Sequence, residues 1–253
     1  RMLRVVPVNK AVKRARRFWR EEASLRTRLK NIGHLLTGNL FGSVVGMLGF
    51  VVTASALGPM DYGVLALIYS YVRAVERLIS FQSWQPLIKY GAELTGQEHH
   101  DDYRALLKFG LLVDIGAAVL ACAVAIVAAL LFGPLLGLQE ETIGFVLIYS
   151  SVLIFQVAGF PTAVMRLAGR YRVMAYGSVA GGFVKLLLCL GGLLMGGGLL
   201  YFVIAWAASQ ILGSVTRLVI AFRELHRQGA RNILGAPLKG VRARFKGLLG
   251  FTI

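Results

Sequence analysis

Six runs of this chain, residues 35–57, 62–84, 106–132, 143–165, 173–195 and 199–222, are each long and apolar enough to cross a lipid bilayer. At a rise of about 1.5 Å per residue, the shortest runs, of 23 residues, extend roughly 34 Å, against a hydrocarbon core of about 30 Å. Backbone groups in lipid find no water to bond, so a crossing segment must be a helix or part of a closed barrel. The alternating ten-residue segments that build a barrel are absent. The sequence therefore predicts an all-α integral membrane protein built on a six-helix transmembrane bundle. With 57% hydrophobic and 16% charged residues, neither a soluble globule nor a disordered chain is compatible with it.

A net charge of +16 could indicate nucleic acid, so the placement of the 28 basic residues decides. The connections 58–61, 133–142 and 196–198 hold no Lys or Arg. Residues 1–34 hold 11, residues 85–105 with Lys108 hold 3, residues 166–172 hold 3 and residues 223–247 hold 7, which together account for 24 of the 28. Charge confined to alternate connections is the positive-inside pattern, and it predicts a cytoplasmic N-terminus. There is no interleaved aromatic platform or nucleic-acid motif, so no nucleic-acid partner is expected; membrane lipids are. The predicted organisation is a basic cytoplasmic segment (1–34), a six-span lobe (35–222), a cytoplasmic linker interrupted by Gly and Pro (223–247) and the start of a truncated seventh span (248–253).

Four cations fall inside the runs: Arg73, Arg77, Lys185 and Arg217. Arg217 lies near a basic end and is expected to snorkel. Arg73 lies 12 residues past Asp61, roughly 18 Å deep, and Lys185 lies 13 residues past Arg172, roughly 20 Å, so both reach mid-bilayer. A cation there costs about 2.5 to 3.5 kcal/mol unless it faces a wet or paired interior. Tyr69, Arg73, Glu76, Arg77, Ser80 and Trp84 recur every three or four residues and form one polar stripe, in which Glu76 can pair with Arg73. Arg73, Arg77 and Lys185 are thus candidates to bind an anion, with a salt-bridge cluster that merely holds helices together as the alternative. Asp114 could balance such a cavity or carry a coupling proton alongside Glu76, or be a carboxylate paired locally. Gly38, Gly42 and Gly46, spaced GxxxGxxxG, indicate close helix packing or a role in conformational change.

Catalytic signatures are lacking. The four His residues fall at membrane edges or in loops, and His99, His100, Asp101 and Asp102 make a solvated polar loop rather than a metal site. Cys122 and Cys189 stand alone in apolar runs, and no phosphate-binding or nucleophile motif is present. No metal, no cofactor and no enzymatic activity are expected.

Three stretches, LGPMDYG (57–63), WQPLIKYGAE (84–93) and RLAGRYRVMA (166–175), resemble in order and spacing the polysaccharide-transporter branch of the multidrug, oligosaccharidyl-lipid and polysaccharide exporter superfamily, which includes Wzx-type O-antigen flippases. The resemblance implies two six-helix lobes around a central cavity, with this chain as the N-terminal lobe and a C-terminal lobe of the same protein as its partner. It implies a lipid-linked oligosaccharide carried on polyprenyl pyrophosphate, flipped across the bacterial inner membrane for O-antigen, lipopolysaccharide or other polysaccharide synthesis, in company with a polymerase. It also implies that Arg73, Arg77 and Lys185 meet the pyrophosphate. A small-molecule exporter of the same superfamily is the nearest rival, and a membrane-embedded sugar transferase or polymerase a more distant one.

Overall fold

The computed structural model describes residues 8–80, 83–94, 100–230 and 233–237, and among these every regular element is a helix. The principal helices are α1 (Val8–Ile79), α2 (Trp84–Glu93), α3 (His100–Phe132), α4 (Glu140–Ser150), α5 (Gly159–Leu167), α6 (Tyr171–Leu194) and α7 (Leu199–Arg227). By length and apolarity Leu36–Ile79, Asp101–Phe132, Glu140–Leu167 and Leu199–Arg227 can each cross a membrane, and Val179–Leu194 is a shorter apolar stretch within α6. This is an all-α membrane protein. The expected seventh span (248–253) and part of the expected linker lie outside the described residues; the first residues of that linker continue α7 as far as Arg227.

Leu36–Ile79 is one run of 44 residues but two crossings. Gly58 adopts φ 73°, ψ 176°, a conformation that a side chain would oppose, and Pro59 begins the second arm, where its missing N–H is not needed. The ring centroids of Phe50 and Tyr69 are 6.3 Å apart, whereas 19 helical residues would separate them by about 28 Å, so the arms fold back on each other.

The first arm lies along α6. A Cβ on Gly182 would meet Val45 and the Gly42 carbonyl, and one on Gly49 would touch the methylenes of Lys185. The close approach therefore runs along Gly42, Val45, Gly49 and buried Thr53. One apolar core gathers Leu65, Ile68, Val72, Tyr149, Phe202 and Trp206 between α1, α4 and α7. A second, nearer the arginine-rich helix ends, joins Leu107 and Leu111 of α3 to Phe160, Val164 and Leu225.

Two predicted spans differ from single helices. The second ends at Ile79, and Trp84 opens α2, whose buried Pro86, Leu87 and Gly91 turn against α3 and α5. The fourth is broken: α4 tightens into a 3₁₀ turn at Ser151–Phe155, residues 156–158 are not helical, and α5 starts afresh. Pro161 supplies no N–H for the carbonyl four residues earlier, which accounts for the break. Backbone interrupted at membrane depth is tolerated where protein groups satisfy it. Here the Asp114 carboxylate accepts the Phe160 N–H at 2.6 Å, and the Ser83 hydroxyl donates to the same carboxylate.

Candidate functional site

Lys185 projects from α6 into three aromatic rings. Its Nζ lies 3.4 Å from the centroid of Trp206, 4.1 Å from Phe50 and 5.9 Å from Tyr69. The rings come from both arms of α1 and from α7, and they meet edge to face, with Phe50 and Trp206 centroids 4.8 Å apart. Trp206 is held by its Nε1, which donates to Thr53 Oγ1 at 3.3 Å; Thr53 in turn donates to the Gly49 carbonyl at 2.7 Å and adjoins Cys189. A buried polar pin thus fixes the face that the indole offers to the ammonium. Cation–π contacts in a desolvated setting contribute about 2 kcal/mol, which offsets much of the cost of a mid-bilayer cation.

Arg73 stands one helical turn after Tyr69. Its Nη1 donates to Glu76 Oε2 at 2.5 Å, its Nε lies 3.4 Å from the Tyr69 hydroxyl, and its side chain remains 36% exposed. The pair is therefore at the open side of the bundle. A guanidinium carries five N–H donors, and these two contacts occupy only a minority of them.

The polar surface continues on α7, where Trp206, Gln210, Ser214 and Arg217 recur on one face. Gln210 Nε2 donates to the Tyr149 hydroxyl at 2.5 Å, Ser214 donates to Gln156 Oε1 at 2.7 Å, and Arg217 Nη2 donates to Ser214 at 3.0 Å. Gln156 sits in the break before α5, so the interruption supplies a polar side chain to this chain of contacts. Arg73 and Lys185 both face the Tyr69 ring, at 5.7 and 5.9 Å from its centroid, while Arg217 stands further along the polar face of α7. Among the described residues Arg73 and Lys185 accordingly share one region with the carboxylate of Glu76, and Arg217 adds a third cation on the adjoining face of α7.

Of the sequence candidates, Arg73, Glu76 and Lys185 are brought together. Arg77 is exposed, and among the described residues its guanidinium has no partner; its backbone carbonyl accepts the Ser80 hydroxyl. Asp114 is 6% exposed and lies elsewhere, bonded to Ser83 and to the start of α5. Arg217, expected to snorkel towards the basic helix end, instead turns back along α7 to Ser214. Its signal was available in the spacing of Trp206, Gln210, Ser214 and Arg217, which only gains meaning once Gln156 faces it. Among the described residues no grouping of His, Cys, Asp and Glu could hold a metal ion.

A family model described as "Polysaccharide biosynthesis protein" matches residues 28–250, nearly the whole chain. The chain belongs to that family. All three resembling motifs fall inside the matched region, and the family is that of the Wzx-type polysaccharide exporters. An inner membrane protein of Escherichia coli (strain K12), YghQ, is 23% identical over 236 residues, covering 93% of this chain and 66% of its own length. The chain thus spans just under two thirds of that relative. No solved structure matches it.

Proposed function

We propose that this chain is the pyrophosphate-binding lobe of a transporter that flips a polyprenyl-pyrophosphate-linked oligosaccharide from the cytoplasmic to the outer leaflet of the inner membrane. The observation that carries the reading is the surplus of Arg73, Lys185 and Arg217 over Glu76 inside an apolar bundle. Intramembrane cations of this kind mark substrate pathways, and arginine is suited to phosphate oxygens. Arg73, about a third exposed and with spare donors, is the direct ligand; Lys185, capped by rings, supplies positive potential; Arg217 extends the cationic surface along α7.

The arginine-rich connections face the cytoplasm and with them the N-terminus. A second lobe packs opposite the Arg73 face, and the two rock about the cluster by alternating access while the isoprenoid tail stays in lipid. Outward movement of the anion is favoured by an inside-negative potential at about 2.3 kcal/mol per charge per 100 mV. The glycan is then handed to a polymerase. Organic cations would be repelled by the same surplus, and for sugar transfer the external connections offer only Asp61, Glu140 and Glu141.

The test is restoration of surface polysaccharide in a strain lacking its flippase, by the natural full-length protein and its variants at equal membrane abundance. Arg73→Gln, Lys185→Gln and Arg217→Gln should each reduce polymer at least tenfold. Wild-type polymer in all three would refute the proposal.

A further inference from the structure

A second basic feature, between α5, α6 and α7, meets the polar face of α7 at Arg217. An apolar groove of about 90 Å³ runs between Val173, Met174 and Gly177 of α6 and Gly213, Thr216 and Ile220 of α7, with Pro161 and Met165 of α5 also lining it. Arg217 lines it one turn short of Gly213. At Met165, Val173 and Ile220 it opens into a wider cavity lined by Arg170, Arg223 and Arg227, with Glu224 and His226. Arg170 is paired with Glu224 at 3.3 Å, which leaves two of the three guanidinium groups in surplus. On α7 the groove's lining runs from Gly213 to Ile220, about 10 Å along the helix axis.

We infer that this groove seats a phosphate-bearing lipid, with the phosphate among Arg170, Arg223 and Arg227 and the apolar chain lying along α6 and α7 towards Arg217. A basic mouth continuous with an apolar trough matches one ligand chemistry: an anion covalently joined to a hydrocarbon. A free phosphate would leave the trough without purpose, and an apolar molecule would leave the arginines so. Gly177 and Gly213 keep the trough open, since a Cβ built on either meets nothing within 4 Å. A larger side chain there would enter the groove without displacing the protein. Resting on the transport reading, the groove is where the substrate lipid loads before its pyrophosphate reaches Arg73.

The test places the natural full-length protein in phosphatidylcholine nanodiscs with either a photoreactive polyprenyl phosphate or a photoreactive phosphatidylglycerol, and maps the crosslinks by peptide mass spectrometry. Labelling of the α6 and α7 peptides bordering the groove is expected, falling at least fivefold in Gly213→Leu and in Arg223→Gln with Arg227→Gln, while the melting midpoint stays that of the wild type. Preference for the polyprenyl probe supports loading of substrate; equal labelling by both supports a seat for lipid phosphate but overturns the loading role. Labelling undiminished in the variants, or confined to peptides bearing Arg73, overturns the seat itself. Arg73→Gln separates the two readings: groove labelling should persist while transport is lost, and transport retained with labelling intact would refute the transport site alone.

Discussion

Lys185 shows how magnitudes decide what a mid-membrane cation does. Holding the ammonium at depth costs about 2.5 to 3.5 kcal/mol, and its ring contacts return about 2, so a small net cost remains. Lys185→Met should therefore raise stability by roughly 0.5 to 1.5 kcal/mol while abolishing transport, checked by thermal unfolding in detergent beside polymer output. Its place within an apolar helical stretch was legible in the sequence. The aromatic cage was not, because Phe50, Tyr69 and Trp206 belong to three separate helical arms that only packing brings together. Asp114 illustrates the complementary case. Its carboxylate receives the first N–H groups of a broken helix, as an N-cap would, although it comes from α3. Asp114→Asn should lower stability by about 1 to 2 kcal/mol, a shift of roughly 2 to 8 °C, with transport per folded molecule retained. Gly159→Ala should cost more, because its Cβ would stand 2.8 Å from both Asp114 oxygens.

At the level of elements, the hairpin at Gly58 and Pro59 was legible because an apolar run of twice the bilayer thickness must turn, and these residues mark where. Gly58→Ala forces a side chain into a left-handed backbone and should destabilise by about 1 to 2 kcal/mol, measured by the same unfolding assay. The second and fourth spans were legible as apolar segments but not as broken ones. Hydropathy counts side chains, whereas the break before α5 depends on a missing N–H at Pro161 and on the distant Asp114 that stabilises the new start. For α2, the continuing stripe through Trp84 concealed a new helix whose buried face turns against α3 and α5. The linker carried a similar hidden contact: Lys108 Nζ donates to the Ala236 carbonyl at 2.9 Å, and Ile233 and Ala236 are buried.

For the molecule as a whole, charge placement and cluster chemistry make one account. On the proposed reading, arginine-rich connections set the orientation, and the surplus of cations within the bundle sets the sign of the cargo. Reporter fusions after Gly137 should be active only in the periplasm, and fusions after Arg170 only in the cytoplasm, if the connections are sorted by their charge. The most direct measurement reconstitutes the natural full-length protein in liposomes with a fluorescent polyprenyl-pyrophosphate oligosaccharide and follows its loss of protection from a membrane-impermeant quencher. Flipping should be fast in the wild type, at least tenfold slower in Arg73→Gln and Arg217→Gln, and close to wild type in Arg77→Gln. Equal rates in all four proteins would contradict the account.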